Sequence, residues 1–352
     1  MVNRIDDLRN KIDSINLEIL RLLNHRTSLI KEISELKDKD GIEYFDPQRE
    51  EEMMEKIIKN NQGPLYNELV KDVFASIFKA SLRYMGIKRE RKLLISSQCN
   101  EGFMSIKDMF DLPSKSPVII AGPCAIEKVD YLESIAKQLR KNNIKFLRGG
   151  AFKPRTSPYD FQGLKEEGLK IIMEIGKKYD LFTITEVVDT RDVEMVSQYV
   201  DIIQIGARNM HNFELLKEAG LTHKSVLLKR GISATIQEFM FAAEYIGLQG
   251  NRKIMLCERG IRTYETKTRN TLDIASVPII KKETSLPILV DLSHSLGRKD
   301  IVSSIAKAAL ASGADGIMIE VHPYPEVALS DSKQQLNSRE FDELLDSIKY
   351  WF

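Results

Sequence analysis

From Val118 onward the chain alternates short apolar runs with amphipathic stretches, and nearly every apolar run ends in a polar cluster. Eight strands are expected, at Val118–Ala121, Lys145–Gly149, Phe182–Val187, Ile202–Gly206, Val226–Arg230, Ile254–Glu258, Ile288–Asp291 and Gly316–Val321. Helical patterns fall between them, among them Tyr131–Asn142, Gly163–Tyr179, Thr235–Gly247 and Asp300–Ser312. Eight units in about 235 residues match the count and length of an α/β (β/α)8 TIM barrel. A doubly wound open sheet is the structural alternative, since it shows the same alternation. Polar residues after almost every strand favour the barrel, where all strand ends converge on one mouth.

Two subsites separate within those polar clusters. Cys124, His294, Glu320 and Asp331 offer an S, N, O, O set suited to a divalent transition ion. They come from different strands, so no local zinc motif is present. Arg148, Lys153, Arg208, Lys229 and Arg259 form a cation set far stronger than a neutral substrate requires. Three of the chain's cations, Arg148, Lys153 and Arg155, fall within the single run Arg148-Gly149-Gly150-Ala151-Phe152-Lys153-Pro154-Arg155-Thr156-Ser157. Guanidinium forks match phosphate and carboxylate oxygens, while ammonium acts as a point charge. Taken alone, such a run is equally well a solvated basic turn. A multiply anionic phosphorylated substrate beside a Lewis-acidic metal is the reading of the two subsites together.

The first part of the chain obeys a different period. Ile5, Leu8, Ile12, Ile15, Ile19, Leu22, Leu29, Ile33 and Leu36 recur every three or four residues, with no glycine or proline before Gly41. One helix over residues 3–38 is predicted, about 50 Å long. Its apolar stripe calls for other helices, including those of a second chain. Shorter helices follow Asp46-Pro47, an N-cap with proline at the first helical position, and Gly63-Pro64, and the helical module ends near Met85. Arg26 and Lys37 are 11 positions apart and so share one face within about 20°. Arg9 lies on a different face, as if serving a neighbouring site. Charges on a long helix are more commonly a solvated surface.

The expected organisation is a helical domain over 1–88, a linker over 89–117 with a short strand at Leu93-Leu94-Ile95, and a barrel over 118–352. With 52 cationic and 51 anionic residues the net charge is +1, which speaks against nucleic-acid and membrane-surface partners. No apolar run approaches the roughly 20 residues needed to cross a bilayer, and no signal-like apolar stretch follows Met1. Cys99, Cys124 and Cys257 are widely spaced and odd in number, which suits a reducing cytoplasm.

Residues 3–86 resemble the all-helical, AroQ-type chorismate mutases. The resemblance implies an intertwined dimer in which Arg9 is donated by the partner subunit. Arg26, Lys37 and Arg49 would grip the carboxylates and ether oxygen of the substrate and Glu50 its hydroxyl, with Asp46 and Ser81 in support. One position departs from the family pattern. Met85 stands where the family has glutamine or glutamic acid, and a thioether donates no hydrogen to the ether oxygen. A domain that binds chorismate or prephenate as a feedback sensor is therefore expected alongside, or instead of, a mutase.

Gly-Pro-Cys at 122–124, the run from Arg148, Gly-Ala-Arg-Asn at 206–209, Leu-Leu-Lys-Arg-Gly at 227–231, Cys-Glu-Arg-Gly at 257–260 and Asp-Leu-Ser-His-Ser at 291–295 resemble the type Iβ 3-deoxy-D-arabino-heptulosonate 7-phosphate (DAHP) synthases. The resemblance implies condensation of phosphoenolpyruvate with erythrose 4-phosphate, the first reaction of the shikimate pathway. Cys124, His294, Glu320 and Asp331 would hold Mn²⁺ or a similar divalent ion, and the cation set phosphoenolpyruvate. Arg155, Thr156 and Ser157 would take erythrose 4-phosphate, Lys153 would be the proton donor and Glu186 the partner of the attacking water. It also implies a dimer of dimers. Three alternatives stay open: a 3-deoxy-D-manno-octulosonate 8-phosphate synthase, a Schiff-base aldolase using Lys153 or Lys229, and a non-catalytic chorismate-responsive protein. The run Lys153-Pro154-Arg155-Thr156 favours the four-carbon sugar.

Overall fold

The computed structural model describes residues 2–40, 47–88, 93–99, 101–113, 116–154, 157 and 159–351. The chain divides into two compact units, Met1–Lys92 and Leu93–Phe352. In the first, helix α1 (Val2–Asp40) packs on α3 (Asn67–Lys88), as does α2 (Pro47–Lys59). Little of this unit is buried; Ser34, Val70 and Phe78 are its buried side chains among the described residues. All nine apolar residues of the α1 stripe are exposed, Leu36 by 60 %. An apolar stripe left in water is an unfinished interface.

The second unit is a closed barrel of eight parallel strands in sequential order. They are β1 (Val118–Gly122), β2 (Phe146–Arg148), β3 (Phe182–Val187), β4 (Ile202–Ile205), β5 (Ser225–Lys229), β6 (Ile254–Glu258), β7 (Ile288–Asp291) and β8 (Gly316–Glu320). Closure is made by β1 pairing with β8 from Val118↔Gly316 to Gly122↔Glu320. Because side chains alternate across a strand, two cores form. Ile119, Leu147, Ile203, Leu228, Leu256, Val290 and Ile317 face the surrounding helices. Ile120, Phe146, Ile184, Ile202, Leu227, Leu289 and Met318 fill the interior.

That alternation places the chemistry. Two residues beyond each of Phe146, Ile184, Ile202, Leu227, Leu289 and Met318, the same face carries Arg148, Glu186, Gln204, Lys229, Asp291 and Glu320. The lower interior is therefore apolar and the upper interior charged.

Residues 93–99 and 101–112, within the stretch expected as a linker, pack on the barrel. No strand forms at 93–95; Ser96 makes a single bridge to Thr284, and Glu244 accepts the backbone N–H groups of Leu94 and Ile95. Helix α4 (Ile106–Phe110), capped by Ser105, closes the bottom. Phe110 there meets Phe146 and Phe182, with ring centroids 5.0 and 4.8 Å away. Three apolar residues without a period are too short a signal to specify a strand, and here they supply one buried side chain, Ile95, instead.

Candidate active site at the barrel mouth

The strand ends open into a cavity of about 390 Å³ lined by Arg148, Lys153, Arg208, Lys229 and Arg259, the whole expected cation set. Arg262 and Arg269, from the loop after β6, line it as well. Asp160, Glu186, His294 and Asp331 form its acidic and imidazole wall. Ser157 is half-buried, and Arg155 and Thr156 lie outside the described residues.

The four residues expected as metal ligands converge. Donor atoms of Cys124, Glu320 and Asp331 lie within 4.8 Å of one another. His294 Nε2 is 3.6 Å from Glu320 Oε1 and 3.7 Å from Asp331 Oδ2. Asp331 reaches the cluster on a turn with φ +50°, a left-handed backbone that costs an aspartate little. The set fits a divalent ion, with soft sulfur, imidazole and two carboxylates facing one point.

Part of the charge in this site is paired. Arg148 Nη1 donates to Glu320 Oε1 at 2.6 Å, with both side chains buried, while its Nε has no partner among the described residues. Lys153 Nζ donates to the Cys124 carbonyl at 3.0 Å and lies 3.1 Å from Cys124 Sγ. Burial, with Glu320 beside it, pushes the Cys124 thiol up to about 12. Glu320 is held well below the usual carboxylate range, because His294, Arg148 and Lys153 together outweigh its burial. Burial opposes the charge on Lys153, yet Cys124 and Glu186 raise its pKa. His294 is lowered, burial outweighing Asp291.

Two close approaches are set by glycine. A Cβ on Gly206 would stand 1.9 Å from Glu186 Oε1, so the missing side chain is what leaves Glu186 its place. On Gly122, at φ +151°, a Cβ would meet the Arg148 carbonyl oxygen at 1.9 Å.

Several participants were not anticipated from the sequence. Gln334 donates to Glu320 Oε2 at 2.6 Å, and Gln335 accepts the Cys124 backbone N–H at 3.0 Å. Ser330 Oγ is 3.0 Å from Cys124 Sγ, and Arg269 pairs with Asp331 at 3.1 Å. Asp291 is fully buried between Lys229 and His294. The signal available for Asp291 was its parity with Leu289; the other four sit in loops, where no periodicity operates.

In the helical unit, Arg26 donates to Ser81 Oγ and stacks over Phe78 at 5.4 Å, joining α1 to α3. Burial lowers the pKa of this arginine. Lys37 and Glu50 are half-buried. Arg9 is exposed beside Asp6 at 3.4 Å, and Arg49 pairs with Glu52 at 3.6 Å. Asp46 lies outside the described residues, as does the side chain of Met85.

Residues 111–350 match the DAHP synthetase I family, and residues 8–86 match chorismate mutase type II. A phospho-2-dehydro-3-deoxyheptonate aldolase of Thermotoga maritima is 57 % identical over 231 residues, 66 % of this chain and 68 % of that protein. A 2-dehydro-3-deoxyphosphooctonate aldolase of Arabidopsis thaliana is 31 % identical over 253 residues, 65 % of this chain and 86 % of the relative. The crystal structure of the Thermotoga DAHP synthase superposes with a TM-score of 0.70 at 52 % identity, covering 73 % of this chain and 76 % of that one.

Proposed function

Because the chain belongs to the DAHP synthetase I family and carries a chorismate mutase type II domain ahead of its barrel, we propose that it condenses phosphoenolpyruvate with D-erythrose 4-phosphate to DAHP and phosphate. The observation that carries this reading is one cavity in which five expected cations face Cys124, His294, Glu320 and Asp331. The far higher identity to the heptonate enzyme than to octonate enzymes favours the four-carbon sugar.

Arg148, Lys153, Arg208, Lys229 and Arg259 would bind the phosphate and carboxylate of phosphoenolpyruvate, and Arg155, Thr156 and Ser157 the sugar phosphate. The Arg148 Nε, buried without a partner among the described residues, is a ready donor for such an anion. Cys124, His294, Glu320 and Asp331 would hold the divalent ion, Mn²⁺ being the expected one. When bound, such an ion supplies polarisation of the aldehyde oxygen. The new C–C bond joins C3 of phosphoenolpyruvate to the aldehyde carbon. Lys153, anchored on Cys124 and kept charged, gives its proton to the oxygen of that carbonyl. Glu186 takes a proton from water adding at C2, and phosphate leaves with cleavage of its C–O bond.

The helical unit would bind chorismate or prephenate through Arg26 and Lys37, as mutase, as feedback sensor, or as both. A second copy would cover the α1 stripe and supply Arg9, and the whole would assemble as a dimer of dimers. The mutase reaction is pericyclic, so a protein serves it by restraint and positive charge alone.

The test is DAHP formation from the two substrates before and after chelation, with Mn²⁺ returned. Stripping is expected to cost about 10³-fold or more, the equivalent of several kcal/mol, and Mn²⁺ to restore it. Arabinose 5-phosphate turned over as well as erythrose 4-phosphate would overturn the substrate reading. Inhibition by prephenate that survives Arg26→Met would overturn the sensor.

A further inference from the structure

Asp291 ends β7 with no exposed surface and touches both subsites. Its two oxygens receive three hydrogens. Oδ1 accepts the backbone N–H of His294 at 2.9 Å, which caps the short helix Leu292–Leu296. Oδ2 is 2.8 Å from His294 Nδ1 and also accepts from Lys229 Nζ. A carboxylate donates nothing, so the ring places its hydrogen on Nδ1 to meet it. Nε2 is then bare, and it is this atom that faces Glu320 Oε1 and Asp331 Oδ2 at 3.6 and 3.7 Å.

We propose that Asp291 is a positioning residue: pinned by Lys229, it fixes the ring orientation and the hydrogen of His294 so that a bare Nε2 faces Glu320 and Asp331. The inference rests on the reading of His294 as a ligand of the divalent ion. Partners behind a metal-binding histidine set its tautomer and are worth about 10- to 100-fold in metal affinity. An amide cannot take the place of this carboxylate. With its NH₂ at the Oδ2 position it would oppose the Lys229 ammonium and drive the ring hydrogen onto Nε2. Turned over, the NH₂ would oppose the backbone N–H of His294. Asparagine remains a good N-cap, so Asp291→Asn separates the positioning role from a structural one.

The experiment compares the full-length protein with Asp291→Asn and His294→Gln. Solid-state ¹⁵N spectra of ion-free, histidine-labelled protein report the ring tautomer; the His294 signals, among those of five histidines, are the ones absent from His294→Gln. Competition with a fluorescent chelator gives the Mn²⁺ affinity. The expected result is an Nδ1-protonated ring in the unchanged protein, loss of that state in Asp291→Asn, and Mn²⁺ bound about 10- to 100-fold more weakly. An unchanged tautomer with Mn²⁺ affinity within about twofold overturns the proposal while His294→Gln still abolishes binding. Unchanged affinity in His294→Gln overturns the ligand reading and the proposal together. Should Asp291→Asn not fold, Asp291→Glu keeps the charge, moves both oxygens by one methylene and is judged by the same two readouts.

Discussion

The two units assemble a site for anions in opposite ways. At the barrel mouth, Arg148, Lys229, Asp291 and Glu320 come from four strands of one chain, and each is at most about 5 % exposed. In the helical unit, Arg9 lies on a helix whose apolar stripe is exposed throughout, while Arg26 is tied across to Ser81 of another helix. Strand register fixes the first site within a single chain, whereas the proposed second site would stay open until another surface covered it. Buried charge must be paired to be tolerated; exposed charge need not be, and remains free to meet a partner or a small ligand. The barrel mouth is thus preorganised, and the proposed helical site would depend on association.

Breaking the preorganised site should have the largest effect. Lys153→Met removes the proposed proton donor, together with the ammonium packed on Cys124, and about 10²- to 10⁴-fold in kcat is expected to go with it. Near-normal turnover would transfer that role elsewhere in the cavity. The helical site is sharpened in the other direction, by gain. Met85→Gln puts an amide donor where the sequence has a thioether, and chorismate turnover should rise by about 100-fold. Turnover by the unchanged protein at an ordinary enzymatic rate would show that the missing donor is compensated. A third, milder change is Gly206→Ala, whose Cβ must displace the flexible end of Glu186. About a 10-fold loss of kcat with thermal stability nearly unchanged is the expected result, since small misplacements of reacting groups are costly. Unaltered kcat would remove Glu186 from the water-activating step.

The barrel was legible because each strand announces itself twice, by an apolar run and by the polar residues that end it. The expected cation and ligand sets lay in those polar ends, and the described members do face one cavity or cluster. What stayed hidden is of two kinds. Asp291 was visible within Asp-Leu-Ser-His-Ser, but its contacts with Lys229 and His294 follow from barrel closure, which no local pattern encodes. Arg269, Gln334 and Gln335 sit in connections, where residue type carries no directional information. The barrel floor lies within the stretch expected as a linker. Ser105 followed by Asp108, with Ile106 and Phe110 four apart, is a capped helical turn, but five residues are too short a run for a period to stand out.

The smallest expected effect distinguishes the units by acid. Asp291 and Glu320 both lie below the ordinary carboxylate range; burial opposes this in each, but His294 with Lys229 holds the first and His294 with Arg148 the second. A carboxylate whose folded pKa is depressed adds stability that is present above its unfolded value, about 4. That stability is lost as pH falls from there toward the folded pKa, because the unfolded chain then binds protons the folded one refuses. The ion pairs Arg9–Asp6, Arg21–Glu18 and Lys31–Glu35 of α1 and Arg49–Glu52 of α2 are exposed and contribute little at any pH. The chain's single tryptophan, Trp351, belongs to the barrel unit, so its fluorescence follows that unit's unfolding, while far-ultraviolet circular dichroism follows both. Between pH 6 and pH 3.5 the urea midpoint seen by Trp351 should fall modestly, and in Arg148→Met, where Glu320 has lost a partner, the fall should be smaller. A midpoint that does not move would mean that the protons refused by Asp291 and Glu320 are taken up elsewhere in the folded barrel, and that its paired charges are not what acid attacks first.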